Sequence, residues 1–220
     1  MKTSRLLRHS LTALSVLTLP VAAETVSFDA AKTGGPPPGW SVGITGVGDA
    51  RWTVAADATA PTAPNVLEQS GLVPKPSFPV CLLDAPLLRD GFVEVKFKTL
   101  SGTNDQAAGL VWRAKDALNY YVCRANALED NVVLYKVADG KRTALDIVGR
   151  QAGYGVETKV APGKWQALRV EFAGQWFKVS LEGKLLFQVE DSTFGEAGKV
   201  GLWTKADSVT RFDDFQCGSK

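Results

Sequence analysis

The chain has 220 residues, with 25 Lys plus Arg against 23 Asp plus Glu, one His and three Cys. Lys2, Arg5 and Arg8 account for the basic excess; without them 22 basic residues face 23 acidic ones, a formal charge of −1. A near-neutral remainder with no Lys/Arg cluster gives no footing for nucleic acid, whose affinity comes from neutralising phosphates. The single histidine, His9, lies in the same basic start. The rest of the chain therefore cannot build a Ser-His-Asp triad, a Cys-His dyad or a histidine-containing zinc centre.

In chain order, the basic start leads into the apolar run Leu11 to Val21 and then Val21-Ala22-Ala23. That is the pattern of a secretory signal peptide (1–23), cut after Ala23. The run is shorter than the roughly 20 apolar residues a bilayer crossing needs. The expectation is a periplasmic or secreted protein, residues 24–220, with no stable membrane insertion. No composition shift or linker divides it, so one domain is expected. An oxidising compartment permits a disulfide. Cys81, Cys123 and Cys217 leave two readings open: one long-range bridge plus a buried thiol, or three small apolar fillers.

Thr25 to Asp29 reads as a short early strand. Gly34 to Trp40, with three consecutive prolines, fits neither helix nor central strand, and Gly43 to Gly48 is also loop-like. Trp52 to Ala55 and Val66 to Gln69 read as strands between irregular loops. From Gly91 the pattern sharpens. Phe92, Glu94, Lys96 and Lys98 alternate with Val93, Val95 and Phe97, the period of a half-buried strand. Strand-length runs recur at Ala108 to Arg113, Asn119 to Ala125 and Asn131 to Val137. Asp139-Gly140 then supplies the left-handed residues of a tight hairpin. Trp165 to Phe172, Trp176 to Leu181, Leu185 to Val189, Lys199 to Thr204 and Val209 to Cys217 continue the series. Asp191 to Glu196 has room for one helical turn. The fold class expected is all-β, a two-sheet antiparallel sandwich, since each sheet has an apolar face that must be covered.

Several segments resemble a known family. They are Asn119 to Asn131, Leu134-Tyr135-Lys136-Val137 with Gly140-Lys141-Arg142, Gly163-Lys164-Trp165, Leu168-Arg169-Val170, Gly198 to Lys205, and Phe212-Asp213-Asp214-Phe215. Together they look like the 3-keto-disaccharide hydrolase family, formerly a domain of unknown function and also labelled family 16 glycoside hydrolase-like. The resemblance spans roughly residues 24–217. It implies a concanavalin A-like jelly roll and a carbohydrate or glycoside partner. A true family 16 glucanase carries Glu, an apolar residue, Asp, two further positions and Glu on one strand. Here the nearest segment, Phe92 to Phe97, has Lys96 in place of the Asp. Retaining chemistry needs two carboxyl groups about 5–5.5 Å apart, and the motif that would supply them is missing.

With histidine gone, function must come from carboxylates, Arg/Lys, aromatics and amides. These concentrate at Trp112-Arg113, Tyr120-Tyr121, Arg124, Asn126 and Glu129-Asp130-Asn131. Strand alternation puts Tyr120 and Arg124 on one face, with Cys123 on the other. Taking the Cys123 side as core leaves Tyr120 and Arg124 exposed: a ring for a pyranose face and a guanidinium fork for hydroxyls or a carboxylate. The ligand-binding candidates are thus Tyr120, Arg124, Asn126, Trp112, Trp203 and Lys205, the last two sharing a strand face. Glu129, Asp130 and Arg124 are the catalytic candidates, against ordinary turn chemistry for the two acids. Asp29, Asp213 and Asp214 are the candidate metal ligands, with calcium as the cofactor to consider, against an edge-strand role for the charges. Trp40, Trp52, Trp165 and Trp176 are expected to pack the sandwich or its loops. Three readings remain open: a sugar-binding sandwich, an enzyme eliminating the glycosidic bond of a 3-keto-disaccharide, and a structural or protein-binding module without a sugar site.

Overall fold

The structure, a computed structural model, describes residues 24–150 and 153–219. The expected signal peptide and His9 lie outside the described residues. Four short strands open the fold: β1 (Glu24–Val26), β2 (Trp40–Thr45), β3 (Trp52–Ala56) and β4 (Asn65–Gln69). Longer ones follow, β5 (Phe78–Leu88), β6 (Gly91–Ser101), β7 (Ala107–Asp116), β8 (Asn119–Asn126) and β9 (Asn131–Ala138). Then come β10 (Lys141–Ala144), β11 (Val156–Glu157), β12 (Gln166–Ala173), β13 (Trp176–Leu181) and β14 (Lys184–Glu190). Strands β15 (Gly198–Trp203) and β16 (Val209–Ser219) close the chain. Among the described residues no helix is long and apolar enough to cross a membrane.

Two antiparallel sheets result. Sheet A runs β14-β13-β12-β6-β16-β4-β3, with β1 added to β16; sheet B runs β10-β9-β8-β7-β15-β5-β2, with β11 added to β9. Between them lies the main core. Val93, Val95 and Phe97 of β6 meet Trp112, Tyr121 and Cys123 of sheet B in one cluster. The Trp112 ring stacks on Tyr121 at 5.4 Å and on Phe172 at 6.1 Å, and Phe177 meets it edge-on at 5.3 Å. The alternation read at Gly91 to Lys98 is realised through most of β6, where buried and half-buried residues alternate. Asp139 and Gly140 both take positive φ, 49° and 76°, and join β9 to β10.

Several expectations are corrected. Gly43 lies within β2, and the long strand β5 was not anticipated at all. Its two prolines masked it, because a proline cannot donate to a ladder. Pro79 lies opposite Ile44 and contributes its carbonyl, which accepts Thr204 N–H at 3.0 Å. Pro86 sits where the register of β5 against β15 jumps from Leu83–Val200 to Leu88–Gly198. The helical turn at Asp191 to Glu196 is absent; the segment is irregular. Asp191 pins it by accepting bonds from Tyr121 Oη, Thr193 N–H and Lys136 Nζ at 2.6–2.8 Å. Trp176 is 43% exposed, whereas Trp40 and Trp52 are buried as expected. None of the three cysteines forms a disulfide and all are buried, so the filler reading holds.

A further correction concerns the outer face of sheet B. Tyr120 and Arg124 do share a face and Cys123 takes the other, yet all three are fully buried. Sheet B is strongly curled. Thr45 on the edge strand β2 bonds the Tyr120 hydroxyl at 2.7 Å, although three strands lie between β2 and β8. It also donates to the Ala117 carbonyl at 2.6 Å. The trough so formed is filled by a second core of Phe78, Val80, Val111, Val122, Tyr135 and Trp203. Gly109 makes the seat for Trp203: a Cβ there would come within 3.1 Å of the indole ring. The fold is therefore a sandwich one of whose sheets is nearly a barrel.

Candidate functional site

At one end of the trough the apolar filling gives way to a polar network. Arg124 on β8 reaches Glu129, in the β8–β9 turn, through both terminal nitrogens, at 3.2 and 2.9 Å. Its Nη2 also donates to Asn131 Oδ1. Asn131 Nδ2 returns to Glu129 at 3.1 Å. Asn126 Nδ2 donates to Glu129 Oε1 at 3.1 Å and to Asp105 Oδ1 at 2.8 Å. Lys205 Nζ lies 2.9 and 2.8 Å from the two Asp105 oxygens. The hairpin brings these groups together because Arg124, Asn126 and Asn131 alternate onto one face, and Asn126 pairs with Asn131 at the turn. Beside them the hydroxyls of Tyr135 and Tyr154 are hydrogen-bonded to each other, and the Arg124 guanidinium lies 5.8 and 5.9 Å from their rings.

Burial grades across the network. Asp105, Arg124 and Asn126 are inaccessible, whereas the Glu129 side chain is 37% exposed and Tyr154 is 50% exposed. The interior members hold; the outer ones present. Partial burial pushes the Glu129 carboxyl up, but the bonds and charge of Arg124, with help from Asn131 and Lys205, outweigh it and leave Glu129 below the usual carboxylate range. At neutral pH it is a fixed, half-exposed anion able to accept hydrogen bonds or a proton.

Four expected residues, Arg124, Asn126, Glu129 and Lys205, thus meet in one network. The others fall elsewhere. Trp112 is buried between the sheets and is not a surface ring. Trp203 and Tyr120 form the floor of the trough: Trp203 Nε1 donates to the Tyr120 hydroxyl at 3.2 Å, and Phe78 stacks on Trp203 at 5.2 Å. Burial, opposed by the Thr45 and Trp203 bonds, pushes the Tyr120 phenol up to about 12, so it stays neutral. Asp130 turns to other partners, Lys159 at 2.8 Å and Val160 N–H at 3.1 Å, and takes positive φ. Its carboxylate ties the β8–β9 turn to the distant segment at Lys159 and Val160 and does not cap its own turn. Asn131, part of the expected concentration, joins the network, while Asp105, Tyr135, Tyr154 and Arg142 belong to this face without having been singled out as site residues. Tyr135 and Arg142 carried a signal in the hairpin they flank.

The aspartates considered for calcium lie where β1 pairs with β16. Asp214 is engaged by Lys96 at 2.9 Å and by the Thr62 hydroxyl at 2.6 Å. Asp213 accepts the N–H groups of Thr62 and Asp214, both at 2.8 Å; burial, aided by the charges of Asp214 and Asp29, raises its carboxyl to about 6. Asp29 accepts Asn65 N–H at 2.9 Å. Among the described residues no group of three or more His, Cys, Asp or Glu side chains is placed to hold a metal ion.

The architecture is shared with solved structures. A carbohydrate-binding module of family 66 from Bacillus subtilis superposes with a TM-score of 0.61 at 22% identity, over 80% of this chain and 93% of that one. The protein has a concanavalin A-like sandwich fold. A cellulose-induced protein, Cip1, matches with a TM-score of 0.60 at 12% identity, over 82% of this chain and 91% of that one. The β-glucanase of Bacillus licheniformis matches with a TM-score of 0.54 at 12% identity, over 90% and 98%. No family model matches the sequence, and no curated protein does.

Proposed function

We propose that this chain is an exported carbohydrate-recognition protein that meets its glycan at the rim of the curled sheet B, around Glu129 and Tyr154. The observation that carries this reading is a half-exposed carboxylate held rigid from below. Arg124, Asn126 and Asn131 fix Glu129 through four hydrogen bonds. Adjacent sugar hydroxyls donate to such an anion, and the half-exposed Tyr154 ring offers an apolar surface to a pyranose face. Likeness to a carbohydrate-binding module and a glucanase agrees with it, and the leader-like first 23 residues suit export.

Arg124 has the role of a positioning residue, since it is covered by the groups it holds. Affinity electrophoresis over a panel of soluble glycans, with Glu129→Gln and Tyr154→Ala, tests the site. Each change should weaken binding by about tenfold or more, the usual cost of a charged hydrogen bond or an aromatic contact. Retention unchanged in both variants would remove the site.

A second, finer reading starts from the solvent-facing part of the Glu129 carboxylate: cleavage of a 3-keto-disaccharide, as the sequence resemblance implies. The keto group acidifies the neighbouring C–H. Glu129 would take that proton, the C1–O bond would break by elimination to leave an enone, water would protonate the departing sugar oxygen, and the charge of Lys205 would favour the enolate oxygen. Incubation with 3-keto-sucrose should then release free sugar, and Glu129→Gln should abolish the release. Intact substrate after prolonged incubation with the wild-type protein would rule the chemistry out while leaving recognition untouched.

A further inference from the structure

Among the buried and half-buried arginines of this protein, Arg142 stands apart. Arg113, Arg124, Arg169 and Arg211 each bond a carboxylate. Arg142, on the edge strand β10, has neither a carboxylate nor a hydrogen-bond partner among the described residues, and its Nη1 is buried without one. Its guanidinium lies instead on aromatic rings, 4.4 Å from the centre of Tyr135, 4.6 Å from Phe78 and 5.8 Å from Trp203. That seat is rigid, because Phe78 and Trp203 are stacked and Trp203 is tied to Tyr120. The side chain as a whole is only partly buried.

We propose that Arg142 recognises an anion and that the glycan bound on this face is acidic, carrying uronic-acid carboxylates. The inference rests on the carbohydrate reading above and narrows it. Charge pairing on the face supports it. Glu129 is matched by Arg124 and Asp105 by Lys205, which leaves Arg142 as the half-buried cation of the face with no carboxylate among the described residues. Aromatic contact holds a guanidinium in one plane without using up its hydrogen-bond donors. Such a fork matches the two oxygens of a carboxylate in a way that a lysine cannot. Tyr135 links the two halves of the face, with Arg142 on one side and Arg124 on the other, 5.8 Å away. A uronate carboxylate on Arg142 would therefore bring the same glycan within reach of the Tyr154 and Glu129 rim. The competing role for Arg142 is a lid whose stem merely covers the rings.

The test compares polygalacturonate with its fully methyl-esterified form, which keeps the sugar and removes the charge, alongside a panel of neutral glycans. Wild-type protein should bind polygalacturonate, prefer it to the ester, and lose affinity as salt rises. Arg142→Met, which keeps an apolar stem over the rings, should weaken that binding by about ten- to hundredfold, with little change in melting temperature. Arg142→Lys should recover part of it. Equal binding of acid and ester, selective binding of neutral glycans, or undiminished binding by Arg142→Met would overturn the acidic assignment and leave the carbohydrate site standing. Failure to bind any glycan, charged or neutral, would overturn both.

Discussion

Arg124→Ala is expected to lower the unfolding free energy by about 2–4 kcal/mol, chiefly the cost of truncating a large buried side chain to alanine. The guanidinium is fully buried, and its loss leaves Glu129 without its cation and Asn131 Oδ1 without its donor. It also opens a void beneath Tyr135 and Tyr154, against whose rings it packs. Urea denaturation reads the effect as a lower midpoint at an unchanged slope. Replacing both partners by apolar residues, Arg124→Met with Glu129→Leu, should restore much of the loss, because desolvation of two charges disappears with their attraction. A cost under about 1 kcal/mol for Arg124→Ala, the level of an exposed ion pair, would mean that the residue is hydrated and that the trough is open where the structure closes it.

The second large effect belongs to Trp203. Truncation to alanine should cost about 3–5 kcal/mol, as for other buried large aromatics. The ring is inaccessible, stacks on Phe78, rests on Gly109 and donates to Tyr120. A ring serving as an open sugar platform would behave in the opposite way, losing ligand while keeping stability. Trp176, nearly half exposed, provides the comparison: its alanine variant should stay within about 0.5 kcal/mol of wild type. Thermal and urea melts of both variants separate the two roles.

Period-2 alternation was sufficient to find β6 and its two faces, because one side of that strand packs on sheet B while the other carries half-buried charges such as Glu94 and Lys96. The same rule applied to β8 sorted Tyr120 and Arg124 from Cys123 correctly and then failed on exposure. It assumes that a sheet has one wet face. In Asn119 to Asn126 apolar residues occur on both faces, and the neighbouring β7 is apolar over most of its length. Runs of that kind mark strands covered on both sides. Nothing local could announce what does the covering: it is the curl of sheet B, sealed by Thr45 some seventy residues from Tyr120. Strand β5 was lost for a related reason, its prolines being tolerated only because the partner strands ask nothing of their nitrogens.

The site was legible in part. Glu129, Asn126 and Arg124 stand within six positions of one another, and their mutual geometry follows from a single turn between two strands. Lys205 and Asp105 come from distant segments, and their pairing appears only in the folded chain. Arg142 was visible as a hairpin residue, yet its lack of a carboxylate partner among the described residues is a property of the packed face. Glu129 and Asp130 looked equivalent in sequence. The fold gives one to the network and the other to Lys159.

The central claim is that glycan contact occurs on the rim of sheet B, and chemical-shift mapping during titration with the glycan panel tests it most directly. Perturbations should concentrate on the amides and side chains of Glu129, Asn131, Arg142, Tyr154 and Lys205. Shifts confined to the outer face of sheet A around Glu94 and Arg169, or a spectrum unmoved by every glycan, would contradict it.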